Sequence, residues 1–145
     1  MSTRNLFPAL IALIVFGACP MALRADDAKI EDVKKEDGSV VYELRTYTAN
    51  PGKLADLHKR FRDHTMRLFE KHGMKNIGYW VPIDKPDTLI YIIAHKNKEA
   101  AARSWKEFAA DPKWKHVYNE SHKNGVLVNH FERQYLTPTD YSPLK

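Results

Sequence analysis

The sequence predicts an α+β domain: one antiparallel sheet carrying its helices on one face, in the βαββαβ order of ferredoxin-like folds. Three observations predict it. Apolar residues recur every three or four positions across residues 53–72, while the segments around that stretch read as strands. Asn50-Pro51-Gly52, Gly73, residues 82–87 and Gly125 punctuate the chain between the periodic segments. Finally, Leu89-Ile90-Tyr91-Ile92-Ile93-Ala94 is apolar on both strand alternations, so both faces of that strand need cover.

The elements follow in order. Residues 40–48 are rich in β-branched and aromatic side chains and form the first strand; Pro51, with no N–H for a ladder, stops it. Leu54, Leu57, Phe61, Thr65 and Leu68 then make one helical stripe, and Gly73 suits a left-handed cap. Residues 77–81 and 88–95 pair as a hairpin across the two prolines of residues 82–87. Residues 98–110 form a second helix with Ala101, Trp105 and Phe108 on one stripe. Asp111 caps a further short helix with Pro112 at its first position, and Gly125 ends that piece. Residues 126–136 are the last strand. The domain is therefore expected over residues 40–137, with a loose tail at 138–145.

Residues 1–25 read as a secretory signal: Arg4 supplies a weak basic start, and residues 6–16 are an apolar run too short for a stop-transfer span. Cleavage after Ala25 is expected; the alternative is lipoprotein processing at Cys19. Loss of Cys19, the only cysteine, leaves no disulfide, thiol nucleophile or thiolate metal site. Residues 26–39, charged and free of aromatics, are expected to be a flexible tether. The chain is thus expected to be exported, periplasmic or secreted, with no stable membrane span after cleavage. Its formal charge of +5 falls to +3 without Arg4 and Arg24, with signs interspersed, so no nucleic-acid partner is expected.

The apolar run at residues 89–94 also predicts a partner. One face packs on helices; the other would be a large apolar patch unless a second copy covers it, sheet against sheet. A homodimer is the expectation.

The motifs themselves resemble a known family. Tyr42-Glu43-Leu44-Arg45-Thr46-Tyr47, Pro51-Gly52, His64, Gly73, Gly78-Tyr79-Trp80 and Asp111-Pro112-Lys113-Trp114 together resemble the NIPSNAP domain, over residues 40–136. The resemblance implies a dimeric α/β barrel. It implies no single activity, because that wider group holds cofactor-free monooxygenases, haem enzymes and proteins of no known reaction.

Candidate chemistry is sparse. His64 lies beside the Leu57, Phe61, Leu68 stripe and is expected to point into the helix–sheet interface, as a base, a ligand contact or a paired core-edge histidine. Arg45 shares a strand face with Glu43 and Tyr47; it either holds an anionic ligand or pairs with Glu43 or a partner chain. Trp80, Tyr91, Trp105, Trp114 and Phe131 either wall a pocket for a flat apolar or aromatic ligand or simply form core. Tyr79 and Trp80 alternate, so they are not expected to face one cavity.

Metal and cofactor are expected to be absent. There is no His-Glu-x-x-His, His116 and Glu120 sit between Lys115 and Lys123, and His95 stands alone. No Gly-x-Ser-x-Gly or phosphate-binding glycine loop is present either. The sequence therefore leaves three readings: a binding or accessory module, a cofactor-independent monooxygenase-like enzyme using the helix–sheet cleft, and a structural dimer.

Overall fold

A computed structural model describes residues 40–144. Strands β1 (Val41–Ala49), β2 (Lys75–Trp80), β3 (Thr88–His95) and β4 (Val128–Leu136) form one antiparallel sheet in the order β2-β3-β1-β4. Helices α1 (Leu54–Arg60) and α2 (Met66–Lys71) follow β1, and α3 (Lys98–Ala110) and α4 (Pro112–Ser121) follow β3. The predicted βαββαβ order is the observed one. The expected signal and tether lie outside the described residues.

The first helical segment departs from the predicted continuous α-helix. A single π turn, Phe61–Thr65, joins α1 to α2; the Met66 N–H reaches back five residues to the Phe61 carbonyl. One extra residue in a turn rotates the buried stripe. Leu57, Arg60 and Phe61 therefore point inward before the turn, and Thr65, Leu68 and Phe69 after it. The Thr65 hydroxyl donates to the Arg60 carbonyl at 3.2 Å and satisfies it.

The predicted helix-end chemistry is present at Gly73, Asp111 and Pro112, and Asn97 adds a further cap. Gly73 takes φ 73°, and the Met74 N–H closes on the Phe69 carbonyl at 2.9 Å. Asn97 caps α3 by accepting from the Ala100 N–H at 2.7 Å. Asp111 caps α4 in the same way through the Lys113 N–H, also at 2.7 Å, with Pro112 in the first turn. The other Asp111 oxygen holds Lys71 at 2.7 Å and His72 at 2.8 Å, which ties the start of α4 to the end of α2.

Two strand boundaries move. β2 begins at Lys75 rather than residue 77 because a register shift between Asn76 and Gly78 lets pairing with β3 continue past it. β4 begins at Val128 rather than residue 126. Asn50 takes the carbonyls just before it, Leu127 by its N–H at 2.9 Å and Val126 by its side-chain amide at 2.8 Å.

The core lies between helices and sheet. Leu57, Phe61, Phe69 and Phe108 meet Leu89, Tyr91 and Ile93, all buried. The opposite sheet face carries Tyr42, Thr88 and Ala94, which are buried, Leu44, Thr46, Ile90 and Ile92, which are partly buried, and the exposed Trp80. Trp80 folds back over Gly78, where an added Cβ would fall 2.4 Å from its ring. No helix among the described residues is long and apolar enough to cross a membrane.

Candidate functional site

A cleft of about 370 Å³ opens between the helices and the β1–β4 side of the sheet. Tyr47 of β1, Phe131 of β4, Trp105 of α3 and Trp114 of α4 wall it, with Phe61, Phe69 and Phe108 beneath. Tyr118, Val126 and Phe131 are exposed and mark its mouth. The rings touch edge to face, Tyr47 to Phe131 at 5.7 Å and Phe69 to Trp105 at 5.4 Å, as aromatic quadrupoles favour. Among the described residues no acidic side chain lines this cleft, and its one guanidinium is Arg60.

Arg60 is only 6% exposed and forms no ion pair among the described residues. Its Nη1 donates to Ser121 Oγ at a long 3.3 Å, and its buried Nε has no hydrogen-bond partner. The guanidinium lies 5.3 Å from the Trp114 ring centre and 5.9 Å from that of Tyr118. Burial pulls its pKa below the ordinary value, and Tyr47, Tyr118 and Tyr91 push the other way.

Behind the wall lies a polar network on the same sheet face. One Glu43 oxygen accepts from Arg45 Nε at 2.7 Å; the other accepts from Trp105 Nε1 at 2.6 Å and from His95 Nε2 at 2.9 Å. Burial alone would raise the Glu43 carboxyl. Hydrogen bonding by His95, the Arg45 charge and the Trp105 N–H outweigh it and hold the carboxyl below its usual range. Arg45 also donates to the Tyr47 hydroxyl at 3.0 Å and stacks 3.7 Å from the Trp105 ring centre. The network thereby orients both Tyr47 and Trp105 toward the cleft. Among its neighbours, the buried Tyr91 hydroxyl and His95 Nδ1 have no partner, and burial pushes the Tyr91 phenol well up.

The expected site residues divide. Trp105, Trp114 and Phe131 line one cleft, and Trp105 and Trp114 also pack against the buried core. Tyr91 is fully buried below it, stacked on Tyr79 with ring centres 5.5 Å apart. Arg45 is the partner of Glu43. Trp80 stands apart: strand parity puts its side chain on the other sheet face, paired at Ile90 and folded over Gly78. It borders a separate hollow at the β2 edge with Tyr79 and Leu89, so Tyr79 and Trp80 do line one depression, which wraps around the strand end.

His64 also lies elsewhere. The π turn directs Arg60, Phe61 and Thr65 inward and leaves His64 half-buried in a groove between the first helical segment and α4, with Asp63, His116 and Glu120. The expectation that it points into the helix–sheet interface is corrected on that geometry. Sequence reasoning missed Arg60, which reads as an ordinary basic residue on a solvated helix face. It also missed His95 as the partner of Glu43, since that needs the β1–β3 register, in which Val41 is opposite His95 and Glu43 opposite Ile93. No group of three or more His, Cys, Asp or Glu among the described residues is placed to hold a metal ion.

The NIPSNAP family model matches residues 42–143. No curated protein matches. Among solved structures, a NIPSNAP family protein from Agrobacterium tumefaciens is similar at TM-score 0.67 and 25% identity, over 74% of this chain and 92% of that one. A second from the same bacterium, described as of unknown function, reaches 0.66 at 23% identity, over 75% and 96%. A structure from Bacteroides thetaiotaomicron named for an antibiotic biosynthesis monooxygenase reaches 0.52 at 14% identity, over 69% and 90%, a likeness of fold alone.

Proposed function

This chain belongs to the NIPSNAP family, and from that premise we propose that it is an exported, homodimeric binding module that holds a small apolar or aromatic molecule in its helix–sheet cleft. The cleft carries the reading. A core that only stabilised the fold would close Trp105, Trp114 and Phe131 on one another; here they stand around about 370 Å³ of open space. The Glu43 network holds two of the walls, Tyr47 and Trp105, in place without a ligand. Such preorganisation lowers the ordering cost of binding.

Two further parts of the proposal have their own support. The partly buried apolar residues Leu44, Ile90 and Ile92 beside the exposed Trp80, together with the edge strand β4, exposed along most of its length, favour a second copy over the sheet. The apolar run at residues 6–16 behind Arg4 favours export.

The direct test is native mass spectrometry of the protein purified from its own compartment, followed by small-molecule analysis of what it releases. A stoichiometric aromatic or apolar molecule, lost on Trp114→Ala, is the expected result. A molecule retained undiminished in Trp114→Ala and in Phe131→Ala would place binding elsewhere.

A further inference from the structure

Arg60 sets the chemistry of the occupant. A guanidinium keeps its charge at any physiological pH, and a buried charge is ordinarily paired. Arg60 is buried, lacks an ion-pair partner among the described residues and leaves Nε without a hydrogen bond. Its surroundings are asymmetric. On one side is the groove with Asp56, Asp63 and Glu120, none of which comes within ion-pair distance. On the other is the cleft, which has no carboxylate among the described residues. Trp114 and Tyr118 hold the cation over their ring faces, which partly compensates its charge and leaves hydrogen-bonding capacity unused.

Resting on the cleft reading above, we infer that the ligand is an organic carboxylate: a flat apolar body between the Trp105, Trp114 and Phe131 rings, with its anionic group on Arg60. The fork of a guanidinium matches a carboxylate better than any neutral acceptor, and an anion would supply the missing partner. The aromatic walls give the body its contact area and exclude water from the ion pair, which strengthens it.

A matched pair of probes tests this: 2-naphthoate and its neutral near-isostere 2-naphthamide, titrated at constant ionic strength. Trp80→Phe serves as the background, so that the remaining indoles, Trp105 and Trp114, both report from the cleft. The acid is expected to quench with at least about tenfold higher affinity than the amide, the size of one charge-assisted hydrogen bond. Arg60→Met should bring the acid down to the level of the amide and leave the amide unchanged, and Arg60→Lys should retain part of the preference. Equal affinities in the background protein overturn the carboxylate inference and leave the cleft reading standing. A preference that survives Arg60→Met overturns it as well. Failure of both probes to quench at millimolar concentration overturns the cleft reading and this inference together.

Discussion

The Glu43 carboxylate and the His95 imidazole, from adjacent strands, meet at 2.9 Å with both side chains fully buried. A carboxylate only accepts, so His95 Nε2 carries the proton in this contact. Trp105 donates to the same Glu43 oxygen as His95, and Arg45 donates to the other. Removing the charge leaves these donors facing a neutral group inside the protein. Glu43→Gln is therefore expected to lose about 3–5 kcal/mol of stability by urea unfolding, as for other buried ion pairs broken on one side. Glu120→Gln, which breaks an exposed pair with Lys123, should leave the midpoint unchanged. A Glu43→Gln midpoint equal to that of the wild type would mean the network contributes nothing.

The same carboxyl sets a pH dependence. Its pKa in the folded protein lies below the ordinary 4.5, so the folded state binds this proton less readily than the unfolded chain. Its contribution to stability is complete above pH 4.5 and is lost as pH falls through the lower folded value. Asp111 behaves alike from 3.8 downward, its carboxyl held low first by Lys71 and His72 and then by the Lys113 N–H. Stability should fall from about pH 4.5 toward pH 3. Glu43→Gln should flatten the upper part of that fall, and Asp111→Asn the lower part. A wild-type profile that Glu43→Gln reproduces in shape, merely shifted down, would remove Glu43 as the titrating group.

Local chemistry was legible in the sequence wherever it is one-dimensional. Pro51, Gly73, the Asp111-Pro112 cap and the two-sided apolar run of β3 each act on their own neighbours, and each is where it was expected. The aromatic walls were legible only in part: Trp105, Trp114 and Phe131 line one cleft, whereas Trp80 lies on the other sheet face and Tyr91 is buried beneath. Arg60 and His64 were not legible. Their orientations depend on a π turn that no residue type demands, and a one-residue change in a helix turns a surface position inward. The Glu43–His95 contact depends on register between strands separated by the first helical segment and β2, which local pattern does not specify.

The π turn can be tested directly. Deleting exposed Arg62 would restore an uninterrupted α-helix and rotate one half of the stripe by about 100° against the other. Either Phe61 or Phe69 must then leave a core in which their ring centres lie 6.1 Å apart. The deletion should cost about 3–5 kcal/mol, as for truncation of a buried Phe. Arg62→Ala, which keeps the length, should behave as wild type. Equal stability of deletion and wild type would show that the turn is dispensable to packing.

The sheet face turned away from the helices gives the proposed dimer a direct test. Ile92 sits on the central β3 with its side chain facing away from the helices, beside Gly78 and Trp80. A charge there is compatible with a monomer and incompatible with sheet-against-sheet packing. Light scattering at micromolar concentration should give a dimer for the wild type and a monomer for Ile92→Arg. Gly78→Ala should weaken the dimer with little effect on the fold, because the added methyl displaces only the far edge of the half-exposed Trp80 ring. A wild-type monomer would overturn the proposed dimer, and a dimer unaffected by Ile92→Arg would move the interface off this face.

Arg60 should be a position where stability has been given up. A buried, unpaired guanidinium carries a desolvation penalty of several kcal/mol. Against it stand one long hydrogen bond to Ser121 and two ring contacts beyond 5 Å, worth about 0.5–2 kcal/mol each. Methionine keeps the length of the side chain and packs against Trp114 without a charge to desolvate. The ligand-free Arg60→Met protein is therefore expected to gain about 1–2 kcal/mol by urea unfolding. Arg60→Glu, which buries an unpaired charge of the opposite sign, should lose more than that. If Arg60→Met is instead less stable than wild type, the guanidinium is held by its own contacts, and the apo protein has no missing partner.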